Sequence, residues 1–122
     1  MDIANEKIFL MIITKDDIYN ITKENTKINY EKLTLILKDF LNSNNLKLED
    51  IQKIYVNRGP GSFAGIRNSL SIVKAINVAR NIDYYCYSLE DFKDQKDVKY
   101  EDIPNLCDKF KIKKNLIKPI YL

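Results

Sequence analysis

The ten residues "RGPGSFAGIR", Arg58 to Arg67, decide how the rest of this 122-residue chain is read. They contain Gly59, Gly61 and Gly65, the protein's only glycines, together with Pro60 and two of its three arginines. Residues that bend a backbone are thus gathered at one junction. Before it, "KIYVN" (Lys53 to Asn57) reads as a strand; after it, Ser62 to Asn81 has the apolar period of a long helix. A strand-to-helix turn is a common anion site, because the first helical amides are unpaired and carry the positive end of the dipole. Here Gly59 and Gly61 can take positive φ around a stiffening Pro60, and Ser62 is a natural N-cap. Gly65 removes a side chain where helix and neighbouring strand would collide. Known phosphate motifs do not match. Gly65 is followed by Ile66 and Arg67 rather than Lys-Ser/Thr, and the glycines are spaced G-x-G-x-x-x-G, one residue longer than the dinucleotide fingerprint. The spacing leaves two readings open: a tight structural turn, or a small nucleotide- or phosphate-binding site across Gly59–Gly65.

The segments around the loop complete an α/β pattern. "KIFLMIIT" (Lys7 to Thr14) and "IYNITK" (Ile18 to Lys23), separated by Asp16-Asp17, predict a hairpin. Asn29 to Asn44 predicts one amphipathic helix capped by Asn29, with Tyr30, Leu33, Ile36, Leu37, Phe40 and Leu41 on a stripe and Leu35 on the polar face. Leu48 to Asp50 predicts a short helical turn and Asp83 to Ser88 a strand. In the helix after the loop, Phe63, Ile66, Leu70 and Val73 form one apolar arc, and Gly65, Ile72, Ile76 and Ala79 another. That helix needs cover on two sides, from a partner or from late segments of the same chain. Residues 89–110 are charged and weakly patterned, with short helical pieces expected at Leu89–Lys93 and Pro104–Phe110. The closing "LIKPIYL" reads as an extended segment for a sheet edge.

Composition narrows the chemistry. With 45% hydrophobic and 30% charged residues, the chain has the make-up of one folded domain. The absence of histidine excludes His-based triads, His-ligated zinc and His acid–base catalysis. Cys86 and Cys107 are too few for a disulfide framework, and reduced thiols in a cytoplasmic protein are expected. The longest purely apolar run, Ile8 to Ile13, is far short of the roughly 20 residues of a membrane helix, and the start of the chain lacks a signal-peptide pattern. A net charge of +3, concentrated in "DKFKIKKNLIK", reads as a solvated lysine face. No catalytic residue, metal or cofactor is expected.

The loop "GPGSFAGIR" resembles the "GPGSFTGLR" signature of the TsaB (YeaZ) family, which works in making threonylcarbamoyladenosine in tRNA. The similarity runs from Asp2 to about Asp91: "MDIANEKIFLMII", "NYEKL" and "YSLEDF" are similar to the family's "IDTSTEALSVAL", "HSExL" and "VSSLEAL" segments. Asn29, Asn57 and Ala64 depart from the family's histidine, glycine and threonine. The resemblance implies an actin-like, ribonuclease-H-like α/β domain with a mixed sheet and two long helices, its first strand truncated because Met1 alone precedes Asp2. It also implies a single N-terminal-type domain over residues 1–122, with the usual second domain largely absent and 92–122 a variable tail. The implied role is a non-catalytic scaffold or activator of a TsaD-type transferase, joined by a TsaE-type ATPase and meeting tRNA only through the complex. The isolated chain is expected to form a homodimer. Arg58, Gly59, Pro60, Gly61, Ser62, Phe63, Gly65 and Arg67 are the expected signature residues. Leu35, Ile66, Leu70 and Val73 are the expected partner interface.

Overall fold

A computed structural model describes residues 1–121, without the side chain of Tyr30. The β-branched run of Lys7–Ile13 (β1) pairs antiparallel with Ile18–Glu24 (β2), in a register from Lys7↔Glu24 to Ile13↔Ile18. The Thr14 side chain sets the turn by accepting from the Asp17 amide at 2.9 Å. Lys53–Asn57 (β3) and Asp83–Tyr87 (β4) are parallel, which requires a crossover. Helix α3, Phe63–Arg80, supplies it. Ser62 caps its start and Asn81, left-handed at φ 57°, ends it.

The expected helix from Asn29 to Asn44 is two helices, α1 (Lys27–Glu31) and α2 (Leu33–Ser43), interrupted at Lys32. The Lys32 amide bonds three residues back to the Asn29 carbonyl, tightening the turn before Lys32 itself accepts from Ile36. The cap is Thr26 rather than Asn29, whose side chain instead donates to the Glu24 carbonyl. Leu33, Phe40 and Leu41 are buried as the stripe requires, and Leu35 faces outward. The expected stripe position Tyr30 lies outside the described side chains.

Two residues join the two strand pairs. Asp2 and Phe9 exchange backbone hydrogen bonds of 2.9 Å across to β1. On the other side the Met1 amine donates to the Tyr55 carbonyl at 2.8 Å, and the Asn57 amide donates to the Met1 carbonyl at 2.9 Å. The spatial order is therefore β2, β1, Met1–Asp2, β3, β4, with Met1–Asp2 at the centre. Alternate side chains sort the layers. Ile8 and Leu10 pack with Leu33 and Phe40 of α2; Val56, Tyr84 and Cys86 pack with Ile66, Leu70 and Val73 of α3.

The opposite face is covered by the late segment whose sequence showed little pattern. Three 3₁₀ turns, Leu48–Asp50, Leu89–Phe92 and Tyr100–Asp102, punctuate the chain, and the last leads into α4, Ile103–Lys109. Phe92, Ile103, Leu106 and Cys107 bury against Tyr87, so this stretch is part of the core rather than an appendage. The two-sided demand of α3 is met within the chain: Ile66, Leu70 and Val73 face β3 and β4, while Ile72 faces the α2 cluster. Phe63 and Ala79, expected on these arcs, are exposed. The expected sheet-edge role of "LIKPIYL" is corrected too. Lys114 and Asn115 meet the outer edge of β4, whereas Ile120 and Tyr121 fold over the glycine loop. No helix among the described residues is long and apolar enough to cross a membrane.

Candidate functional site: the glycine loop

Every signature residue sits where β3 ends and α3 begins, and most of their polar groups are already engaged. Asn57, buried at the end of β3, accepts the Gly59 amide on its side-chain oxygen at 2.9 Å. The Ser62 amide donates to the Ala4 carbonyl at 2.9 Å, and the Gly65 amide to the Ser62 hydroxyl at 3.4 Å. Gly59 has a positive φ of 113°. Gly61 does not, which corrects the expectation. It is required for space: a Cβ there would fall inside the Ala4 carbonyl oxygen. Gly59 and Gly65 carry the same demand toward the Ile120 and Ile3 carbonyls. The loop is a place where three backbone segments converge, and glycine permits their approach. The Gly59–Pro60 peptide is cis.

The two arginines have opposite fates. Arg58 is tied down: its guanidinium donates to Asp91 at 2.7 Å and to the Lys118 carbonyl at 3.0 Å, while its own carbonyl accepts from Ile120 at 2.7 Å. Asp91 is held in turn by the Ser88 amide at 2.8 Å. Arg67 stays outside, 5.8 Å from the Phe63 ring, which tilts against Tyr121 at 4.7 Å.

Asp2, nearby and buried, accepts from the Ala4 amide at 3.2 Å and from the Tyr100 hydroxyl at 2.7 Å. Tyr100 also stacks on Phe9 with centroids 4.1 Å apart. Burial first, and then the bond to Asp2, push the Tyr100 hydroxyl far above the usual phenol range, so it stays a donor. Burial likewise pushes the Cys86 and Cys107 thiols up to about 12, leaving them as inert packing groups. No cluster of three or more Cys, Asp or Glu that could hold a metal occurs among the described residues.

Of the expected interface residues, only Leu35 is available, at 53% exposure. Ile66, Leu70 and Val73 are 0%, 3% and 0% exposed in the chain's own core, so they cannot present a docking face. Sequence reasoning missed Asp91 and Tyr100. A Ser-x-x-Asp capping box, Ser88 to Asp91, was the available signal for the first. Tyr100 acts on Asp2 across 98 residues and had no local signal.

The five-position sheet order, with helices α2 and α3 on one face and the late segment on the other, defines an actin-like, ribonuclease-H-like α/β domain. Two solved structures from Pseudomonas aeruginosa share it. YeaZ superposes with a TM-score of 0.66 at 20% identity, covering 71% of this chain and 41% of that one. A protein described as similar to peptidase YeaZ gives a TM-score of 0.66 at 20% identity, covering 71% and 40%. Among curated proteins, the tRNA threonylcarbamoyladenosine biosynthesis protein TsaB of Buchnera aphidicola is 29% identical over 75 residues, 62% of this chain and 34% of its own. The model of the family described as TsaD, tRNA N6-adenosine threonylcarbamoyltransferase, matches residues 24–88, more than half of the chain. The chain belongs to this family, on the TsaB (YeaZ) branch. It spans about a third of the length of its curated relative and about two fifths of the solved structures.

Proposed function

We propose that the protein is a non-catalytic subunit in the making of threonylcarbamoyladenosine in tRNA, holding a TsaD-type transferase rather than performing the transfer. One observation carries this reading. Most of the groups that would handle an anion or a proton at the signature loop are spent internally, with Arg67 the exception: Arg58 on Asp91 and Lys118, Asp2 on Tyr100 and Ala4, and the Gly59, Ser62 and Gly65 amides on the chain itself. A loop so occupied fixes the start of α3 and the packing of the helices; it is a framework for a binding surface. The partner face in this reading is the outer side of α2 around Leu35, and Ile28, Phe63 and Val78 are further exposed apolar side chains of the helical layer. The same face serves for self-association in the free state, a TsaE-type ATPase joins the assembly, and tRNA is met only there, in the cytoplasm.

The test is titration calorimetry with a purified TsaD-type transferase. The wild-type chain binds, and Leu35→Glu lowers affinity at least tenfold with an unchanged melting curve, because a charge would enter a buried contact. Equal affinity of both proteins removes α2 from the interface. Failure of the wild type to bind, or ATP turnover by the chain alone that is lost in Asp2→Ala, sinks the scaffold reading.

A further inference from the structure

The lysine-rich stretch after α4 is fastened to the sheet rather than left as a loose run. Five lysines and no acid lie from Lys109 to Lys118, so the net charge of +3 is concentrated there and the remainder is net acidic. The Ile112 amide donates to the Cys107 carbonyl at 3.0 Å, and the Asn115 amide to the Tyr84 carbonyl at 2.8 Å. Lys111 and Asn115 turn the backbone through left-handed φ of 55° and 60°. Residues 110–115 are thereby carried from the end of α4 to the outer edge of β4, where Lys114 bridges to Tyr85. Lys109, Lys111, Lys113 and Lys114 are exposed along this path. Among the described residues only Lys114 of these has an ion pair, with Asp83 at 3.5 Å. Aromatic rings stand beside them. On the face of the sheet away from α3, Tyr55 pairs with Tyr85, their rings stacked with centroids 5.1 Å apart. The Lys53 Nζ lies 6.0 Å from the Tyr85 centroid, and the Lys109 Nζ 5.6 Å from that of Phe110. Tyr55, Tyr85 and Phe110 are half-buried against the Tyr87–Phe92–Cys107 cluster, so each ring is firmly seated yet partly open to solvent. Two carboxylates share the face, Asp83, engaged by Lys114 and Asn115, and Asp108 near Tyr55; the cations outnumber them.

We propose that this face binds unpaired RNA, its lysines on the phosphates and the Tyr85 and Phe110 rings against bases. The inference rests on the proposed function and assigns to this chain a direct contact with the tRNA brought to the assembly. The cations of the face are all lysine. Arg58 is tied to Asp91, and Arg67 lies beside Phe63. An ammonium is a point charge without the planar fork that reads base edges, so the face positions a backbone and reads no sequence. Lysines set among seated rings suit a strand that carries phosphates and flat bases together. An acidic peptide would satisfy the charges and leave the rings without a partner. Four exposed lysines hold RNA weakly at physiological salt, so firm binding comes only where the transferase adds its own contacts.

The test is fluorescence anisotropy with a labelled, unmodified tRNA transcript, first on the full chain at low salt. The slope of log K against log salt is about −3, as four phosphate contacts require. Replacing Lys109, Lys111 and Lys113 together by glutamine makes it shallower by about two and raises Kd at least tenfold. Arginine at the same positions restores both. A control of equal charge change, Lys15→Gln, Lys23→Gln and Lys27→Gln, binds as the wild type does. An equal loss in the control means attraction to net charge alone and overturns the proposal. So does polyglutamate displacing the transcript as well as polyuridylate does, charge for charge, or no salt-dependent binding by the chain at all. Adding the TsaD-type transferase separates this inference from the reading beneath it. The wild type tightens the transferase's hold on tRNA at least tenfold; the glutamine triple does not, although calorimetry shows it binding the transferase equally. If the triple tightens that hold as well as the wild type, the RNA face is wrong and the assembly stands. If the wild type fails to bind the transferase yet keeps the lysine-dependent slope alone, the assembly reading falls and the RNA face is upheld.

Discussion

Replacing Gly61 by alanine tests whether the signature loop is a packing junction. The new methyl would overlap the carbonyl oxygen, carbonyl carbon and Cβ of Ala4. Two of these are backbone atoms and cannot swing aside. The Ala4 carbonyl is also held at 2.9 Å by the Ser62 amide, so relief means breaking that bond or moving the Ile3–Ala4 turn off the start of α3. Overpacking in a filled site costs about 1–3 kcal/mol, and a buried amide left without its acceptor about 1–3 more. A loss of about 3–4 kcal/mol is expected, against a total stability of about 5–15. That lowers Tm by about 10–15 °C in a domain of this size. Ser62→Ala is the control: it removes a cap worth about 0.5–2 kcal/mol but brings no clash. Circular dichroism melts and urea titrations of both variants decide the matter. Gly61→Ala within 2 °C of wild type, or more stable than Ser62→Ala, would refute the reasoning.

Two further outcomes follow from the same geometry. Tyr100→Phe keeps the stack on Phe9 but leaves the Asp2 carboxylate one donor short, so it costs about 1–3 kcal/mol in urea unfolding; an unchanged midpoint would show that Asp2 does not depend on Tyr100. In a polypeptide beginning at Met1, burial pulls the terminal amine from 8.0 down to about 6, while the neighbouring Asp2 opposes the shift. The unfolded chain then binds more protons between these values, so this contribution is present above pH 8 and lost as pH falls through 6, at most about 3 kcal/mol. An acetylated amino terminus abolishes that pH dependence, and identical profiles for free and acetylated chains would contradict it.

The hairpin, β3, α3 and β4 were legible because each carries its own period and stop signals: alternation in Lys7–Ile13, the Ser62 cap, and Asn81 after the last apolar position. The break at Lys32 was not legible, since the apolar stripe runs through it unchanged while the cap moves upstream to Thr26. Spacing located the glycine loop but misread Gly61, because φ freedom is a local property and the Ala4 carbonyl that crowds it is a distant one. Ile66, Leu70 and Val73 were read as a docking stripe for a related reason. Periodicity reports that a face is apolar, and only the placement of β3 and β4 reports what covers it. The late segment escaped because its buried residues, Phe92, Ile103, Leu106 and Cys107, are scattered among charges with no single period.

The tie between the glycine loop and the end of the chain sets an order of events during synthesis. Arg58 is made sixty residues before Lys118, and the Arg58 carbonyl waits equally long for Ile120. The β1–β2 hairpin and the helices α1 and α2 need only near neighbours and can organise at once. The loop cannot: its closing contacts are among the most non-local in the molecule, and such contacts slow folding. Throughout that interval Gly59 lacks its cover from Ile120, and Arg58 can be engaged in advance by the Tyr87 carbonyl, through its amide, and by Asp91. The side of the glycine loop that Lys118 and Ile120 cover is therefore closed late, and a nascent chain halted before residue 118 carries that side open.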